Sequence, residues 1–270
     1  MPRIAGLARS TYFHHLSRPG HATRADPEPL VGEIRARTAN GCGHRQIRMC
    51  LVHEFGQKAS ARTVLGVMRR MGLKRPIRAA DPWRRYSSCR GDAGGKAPNP
   101  PKRDFGADGP SEKPGTDVTG FKVAGSKACL APVYDMAGKE ITAWDAGRHP
   151  GMNQQKRLPA MLGDRLPDGA DPILRSDMGW RYQHPWWRKE LERLNIRQSM
   201  SRKGDCLDNA ATEQVFGHLE DEFYRGREFD SYERFKSELD AYIIHWNTKR
   251  RQIRLEGHTP EEYRSMSLAT

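Results

Sequence analysis

"TDVTGFKVAGSKACLAPVYDMAGKEITAWDAG", residues 116–147, decides the fold class. "TDVTGFKV" alternates, "ACLAPVYDM" is an apolar run, and "ITAWDAG" follows the turn "AGKE". Short alternating or apolar runs between turn residues read as strands, so this stretch predicts a three-stranded meander with Asp117 inside the first strand. Downstream, "NQQKRLPAMLGDRL" is helix-like although Pro159 should disturb it. "DPILRSDMG" reads as a strand running into a loop, and "PWWRKELERLN" as a helix with Pro185 near its first turn. "IRQSMS" reads as a short strand, and "DNAATEQVFGHLEDEFY" and "SYERFKSELDAYIIHWNTKRR" as helices. The order β-β-β-α-β-α-β-α-α predicts an α/β layered sheet that opens with an antiparallel meander.

Upstream the pattern is helical. "LVGEIRART" is a short amphipathic piece, and "HRQIRMCLVHEFG" sets Ile47, Cys50, Leu51 and Phe55 on one face before Gly56. "SARTVLGVMRRMGLK" starts at an expected N-cap, Ser60, and repeats Val64, Leu65, Val67, Met68 and Met71. Joined by "GQKA", the two make a helix-turn-helix outline whose second helix carries Arg62, Arg69 and Arg70, as a DNA-facing helix would. An ordinary helical hairpin with a solvated basic face fits the pattern as well; the basic tail "LKRPIR" favours DNA. Residues 76–106, rich in Gly, Pro and charge, read as a linker.

Composition narrows the partner. The 270 residues hold 46 Lys and Arg against 33 Asp and Glu, for a net charge of +13, and 33 of the basic residues are Arg. Such a balance points to nucleic acid, since Arg grips phosphate with two donors and keeps its charge. Five cysteines without a CxxC pair argue against a disulfide framework or a Cys-rich zinc site. No signal peptide and no 18-residue apolar run is visible, so a cytoplasmic protein without a membrane partner is expected.

Three acids fall at telling points: Asp117 in the first strand, Asp177 just after the fourth, and Glu213 in the helix after the fifth. Converging carboxylates repel one another unless a divalent cation neutralises them, and hard oxygen ligands suit Mg²⁺ or Mn²⁺. Asp135, Asp145, Asp171, Asp205 and Asp208 compete for such a role, and spacing discriminates between them. There are 35 residues between Asp177 and Glu213 and 59 between Asp117 and Asp177.

The stretches "EKPGTDVTGF" (112–121), "ILRSDMGWRYQ" (173–183), "RQSMSRKGDCLDNAATEQVFGHL" (197–219) and "WNTKRRQIRLEGHTPEEY" (246–263) carry a resemblance. The sequence resembles the integrase-type transposases of bacterial insertion sequences, specifically the second-reading-frame product of insertion sequence family three. The resemblance implies a ribonuclease-H-like core, with a mixed five-stranded sheet flanked by helices, behind a small all-α helix-turn-helix region. The implied division is a lead-in over 1–30, the helix-turn-helix over 31–80, a linker over 81–106, and the catalytic core with C-terminal helices over 107–268.

The family's acidic triad carries over to Asp117, Asp177 and Glu213, as catalytic residues and as ligands of Mg²⁺ or its substitute Mn²⁺. The implied activity is cutting and joining of phosphodiesters at element ends by two-metal chemistry, without a covalent protein–DNA intermediate. Arg202 and Lys203 are expected on phosphates near the cut, although a solvated loop is the plain alternative. Asn209, one turn before Glu213, is expected to bond DNA or to orient the site. DNA ends and target, an upstream-frame product of the same element and a homo-oligomer on DNA are the implied partners.

Several positions depart from the family pattern. Pro114 and Gly115 precede the first acid, Gly120 replaces a larger residue, and Arg175 replaces a common His. Glu220, seven residues after Glu213 and on its face, stands where Lys or Arg is usual. Two readings follow: a weakened copy with a first strand that begins late, or tolerated variation. A catalytically dead DNA-binding regulator and a nuclease without a joining step are the rival functions. On the same helix Val215, Phe216, Leu219 and Phe223 should form the buried stripe, Asp208 the N-cap, and Asp221 and Glu222 a solvated edge.

Overall fold

The computed structural model describes residues 26–37, 42–74, 107, 109–149, 151–200 and 210–269, except the side chains at 210, 211 and 213. Residues 1–25 of the expected lead-in over 1–30 and the whole linker over 81–106 lie outside the described residues.

Three helices come first: α1 (Glu28–Ala36), α2 (His44–Phe55) and α3 (Ala61–Arg70). Gly56 stops α2 in the left-handed conformation at φ 63°, which glycine adopts without strain. Ser60 is the N-cap of α3, its hydroxyl accepting from the Thr63 N–H at 3.0 Å. Val31, Ile34, Ile47, Cys50, Leu51, Val64, Val67 and Met68 close one apolar cluster. Phe55, expected on that face, is 38% exposed and stacks under Arg37 instead. As the last residue of α2 it lies beyond the stripe that α1 and α3 cover.

The second unit is built on one sheet with strands β1 (Pro114–Thr116), β2 (Thr119–Val123), β3 (Ser126–Asp135), β4 (Ile141–Gly147), β5 (Ile173–Ser176) and β6 (Arg197–Met200). The predicted first strand is thus two strands, and Asp117 lies between them. β1 and β2 pair with β3 in one continuous antiparallel register, Thr116 opposite Val133 and Thr119 opposite Leu130. Continuing that register puts Asp117 opposite Pro132, which has no N–H to offer the ladder. The Pro132 carbonyl accepts from the Thr116 hydroxyl at 2.9 Å, and the Val118 N–H donates to Asp117 Oδ1 at 2.7 Å. The expectation of five strands therefore holds as five ribbons, in the order β4, β3, β1/β2, β5, β6, cut into six segments. The strand also begins at Pro114 itself, not late.

Side chains alternate across β3, so Ala128, Leu130 and Tyr134 face one helical layer while Ala131 and Val133 face the other. The second layer holds α4 (Met152–Gly163), the short α5 (Trp180–Gln183) and α6 (Pro185–Arg193). Contrary to expectation, α4 runs through Pro159. A helix-interior proline costs about 3 kcal/mol, and the burial of Leu158 and Leu162 beside it offsets that. The first layer holds α7 (Ala210–Leu219), a π-helical turn (Glu220–Tyr224) and α8 (Tyr232–Thr248). The chain closes with α9 (Pro260–Leu268). Among the described residues, no helix is long and apolar enough to cross a membrane.

Candidate active site

β1 runs parallel to β5, with Gly115 opposite Arg175. Two residues on from each, at the C-terminal ends of adjacent strands, stand Asp117 and Asp177. Asp117 is 3% exposed. Asp177 Oδ1 accepts from the Gly179 N–H at 2.9 Å, a tight loop in which a Cβ on residue 179 would lie 2.8 Å from that oxygen. Both carboxylates act on one buried group. The Tyr182 hydroxyl, 3.4 Å from Thr116 Oγ1, is pushed above its ordinary pKa by burial and then by the charges of Asp117 and Asp177. Sequence reasoning missed Tyr182; its signal is a tyrosine five residues after the second acid.

α7 approaches this point over Gly115. A Cβ there would lie 3.0 Å from Thr212 Oγ1 and 2.9 Å from Met136 Cε. The helix bearing Glu213 therefore meets β1 at Gly115. Glu213 directly follows Thr212, and its side chain lies outside the described residues. Among the described residues no three carboxylate, His or Cys side chains cluster as a metal site. Arg175 is 7% exposed on the same sheet face as the two acids, by alternation from Gly115 and Asp117.

The predicted DNA-contacting residues fare unequally. Arg62, Arg69 and Arg70 are exposed on α3. Arg62 and Arg69 are two turns apart on one face, while Arg70 turns aside to Glu28 at 3.3 Å. Arg202, Lys203 and Asn209, and the expected N-cap Asp208, lie outside the described residues.

The closing stretch 246–263 fastens this layer. The Trp246 indole N–H donates to the Lys139 carbonyl at 2.9 Å, and the Asn247 side chain bonds both backbone groups of Ile141, at 3.0 and 2.9 Å. Arg250 grips Glu222 with two teeth, Nε to Oε2 and Nη2 to Oε1, each 2.8 Å, and lies 4.2 Å from the centre of the Trp246 ring. The Tyr242 hydroxyl donates to Glu222 Oε2 at 2.9 Å. Burial alone would raise the Glu222 carboxyl, but Arg250, His218 and Tyr242 outweigh it and hold it at about 2.

Glu222 is thus buried, at 4% exposure, and not solvated as expected. The solvated edge expected there is instead occupied by Arg250. Asp221 is half-buried beside Arg225 at 2.9 Å. Glu220 opens the π-helical turn, in which the Arg225 N–H reaches back to the Glu220 carbonyl. The stripe of Val215, Leu219 and Phe223 is buried as read, with Phe216 partly so.

Residues 213–268 match the family described as "Integrase core domain". A putative transposase InsK for insertion sequence element IS150, of Escherichia coli K12, is 35% identical over 98% of this chain and 92% of its own length. Transposase InsF for insertion sequence IS3A, from the same organism, is 31% identical over 79% of this chain and 74% of its own length. The HTLV-2 integrase catalytic core domain, solved in complex with magnesium, superposes with a TM-score of 0.44 at 13% identity, covering 58% of this chain and 98% of that one. With a relative this similar along nearly its whole length, the chain belongs to the integrase-type transposases of insertion sequence family three.

Proposed function

We propose that this transposase cuts and joins DNA phosphodiesters at insertion-sequence ends, with Asp117, Asp177 and Glu213 as its catalytic acids and the ligands of Mg²⁺, or of Mn²⁺ in its place. The observation that carries the reading is the parallel register of β1 and β5, with Asp117 and Asp177 two residues beyond Gly115 and Arg175. The donor set fits the metal: two carboxylates at adjacent strand ends, both felt by the buried Tyr182 hydroxyl, suit a hard divalent cation. When bound, such ions lower the pKa of an attacking hydroxyl and stabilise the leaving oxygen.

The chain's own residues do the rest. The Val118 and Gly179 N–H groups orient one oxygen of each aspartate. Tyr182, kept protonated, lends Thr116 a fixed neighbour beneath the site. Arg62 and Arg69 on α3 hold the backbone of the DNA end, and Arg202, Lys203 and Asn209 hold phosphates beside the cut. The working assembly is a homo-oligomer on DNA, with the upstream-frame product of the element as a further partner.

Gly115 sits in close contact with Thr212 and Met136, so a weakened copy rests on Gly120, Arg175 and Glu220. A duplex bearing the element's end, incubated with Mg²⁺, tests both points. Wild-type protein should yield nicked and joined products, and Asp177→Asn should yield neither while still binding the duplex. Cleavage by Asp177→Asn would remove the aspartate from the chemistry. Glu220→Lys should raise joining if the copy is weakened; an unchanged rate assigns Glu220 to tolerated variation.

A further inference from the structure

Among the described residues, the helix-turn-helix and the sheet unit share no apolar core. The cluster of α1–α3 draws only on residues 30–73, and the two clusters of the sheet unit use none of them. Between the described residues of the two units a buried ion pair runs through Arg251. Its guanidinium is 8% exposed and reaches three parts of the chain. Nε donates to Glu54 Oε1 of α2 at 3.0 Å, Nη1 and Nη2 donate to Glu262 of α9 at 2.9 and 3.2 Å, and Nη1 also donates to the Gly257 carbonyl at 3.0 Å. The second Glu54 oxygen accepts from Arg37 at 2.6 Å. Burial opposes ionisation of Glu54, but the two arginines outweigh it and hold the carboxyl below its usual range.

Beside this knot, His53 of α2 sits over Gly257 so closely that a Cβ there would lie 2.3 Å from His53 Nε2, and it meets the His258 ring edge-on at 5.3 Å. A cleft of about 470 Å³ opens next to it, between α2 and the turn holding Ile253 and Glu256, so the contact is narrow. The residue before Arg251 is Arg250, which grips Glu222 in the turn that ends α7. One dipeptide thus ties the helix-turn-helix to the helix that carries Glu213.

We propose that Arg251, with Glu54, is a positioning residue: it fixes the DNA-holding helices on the catalytic unit, so that a DNA end held by α3 meets the strand-end acids at one distance and angle. This rests on the function proposed above. Misplacing reactants by about an ångström lowers a rate by roughly 100-fold without weakening binding at a separate surface. Arg251→Ala in the full chain should therefore bind the end duplex within about twofold of wild type, yet cleave it about 10- to 100-fold more slowly at saturating DNA.

A tether supplies the control that a merely structural role would not pass. In a background with Cys89 and Cys206 changed to Ser, Arg251→Ala carrying His53→Cys and His258→Cys should regain its rate once a short bismaleimide bridges the two cysteines. Wild-type cleavage by Arg251→Ala, equal losses of affinity and rate, or failure of the tether would each overturn the proposal. If wild type does not cut, or Asp177→Asn still cuts, the functional reading fails instead. The joint is then judged by spin labels at Lys58→Cys and Ala241→Cys. A single narrow distance that broadens in Arg251→Ala upholds it, and an unchanged distribution overturns it.

Discussion

The strand-end acids and the closing stretch both bury charge, and they hold it by opposite means. Glu222 is met by a two-toothed arginine and a tyrosine hydroxyl, all side chains that reach it from α8 and the segment after it. Asp117 and Asp177 are each oriented by a backbone N–H one or two residues away. An acid locked to a buried arginine cannot take another cation without breaking the pair. An acid aimed by its own backbone can. The first arrangement fastens a layer of the fold, and the second aims carboxylates from their own backbone.

The largest contrast is in stability. Arg250→Ala strands Glu222 in the core as an uncompensated charge, which costs about 3–5 kcal/mol. Asp177→Asn removes charge from a half-buried loop and should stay within about 0.5 kcal/mol of wild type. Urea denaturation of both variants measures the difference, and equal losses would erase the distinction between the two regions.

The same contrast appears with pH, and with opposite signs at two buried acids. Glu222 is held at about 2 against 4.5 when exposed, so its stabilisation is complete above 4.5 and is lost as pH falls toward 2. Asp135, the last residue of β3, is raised from 3.8 to about 6 by burial, which outweighs the N–H donors of Gly138 and Ser111. Its contribution is present below 3.8 and is lost as pH rises through 6. Stability profiles between pH 2 and 7 should therefore lose their acid limb in Glu222→Gln. In Asp135→Asn the decline between 3.8 and 6 should disappear instead. A profile unchanged by either substitution removes that residue from the balance.

At the strand end, sensitivity should lie in packing. Gly115→Val drives branched carbons into Thr212 and Met136, an overpacking of about 1–3 kcal/mol. Gly115→Ala should be milder, because the Met136 methyl can swing away, and Thr212→Ala should relieve it further. Additive losses in that double variant would show that α7 does not meet β1 through these two side chains.

What the sequence made legible follows from the range of each cause. The helices α1–α3 and the stripe of Val215, Leu219 and Phe223 are local periodicities, and apart from Phe55 at the end of α2 they are legible in the sequence. The break at Asp117 is not, because its cause is Pro132 on the partner strand. Glu222 was misread because its partner lies 28 residues on, at Arg250, and Gly115 because its neighbour Thr212 is distant in sequence. Pro159 was overweighted, since burial on both sides of it holds α4 together. Asp117 and Asp177 could be named from spacing and resemblance, but their adjacency needs the strand register.

The smallest effects separate two caps of the same chemistry. Ser60 caps α3 and Thr259 caps α9, each accepting an N–H three residues on, and loss of either hydroxyl should cost about 1 kcal/mol. Their surroundings differ. Glu262 completes the capping box by accepting from the Thr259 N–H at 2.9 Å, and the same carboxylate receives Arg251. Thr259→Ala should loosen Glu262 and with it the Arg251 knot, whereas Ser60→Ala stays within its own helix. Combined with Arg251→Ala, Thr259→Ala should therefore be non-additive by at least about 0.5 kcal/mol, and Ser60→Ala should add within that margin. Additivity of both pairs would mean that α9 caps itself independently of the joint, leaving Glu54 and the Gly257 carbonyl to hold Arg251.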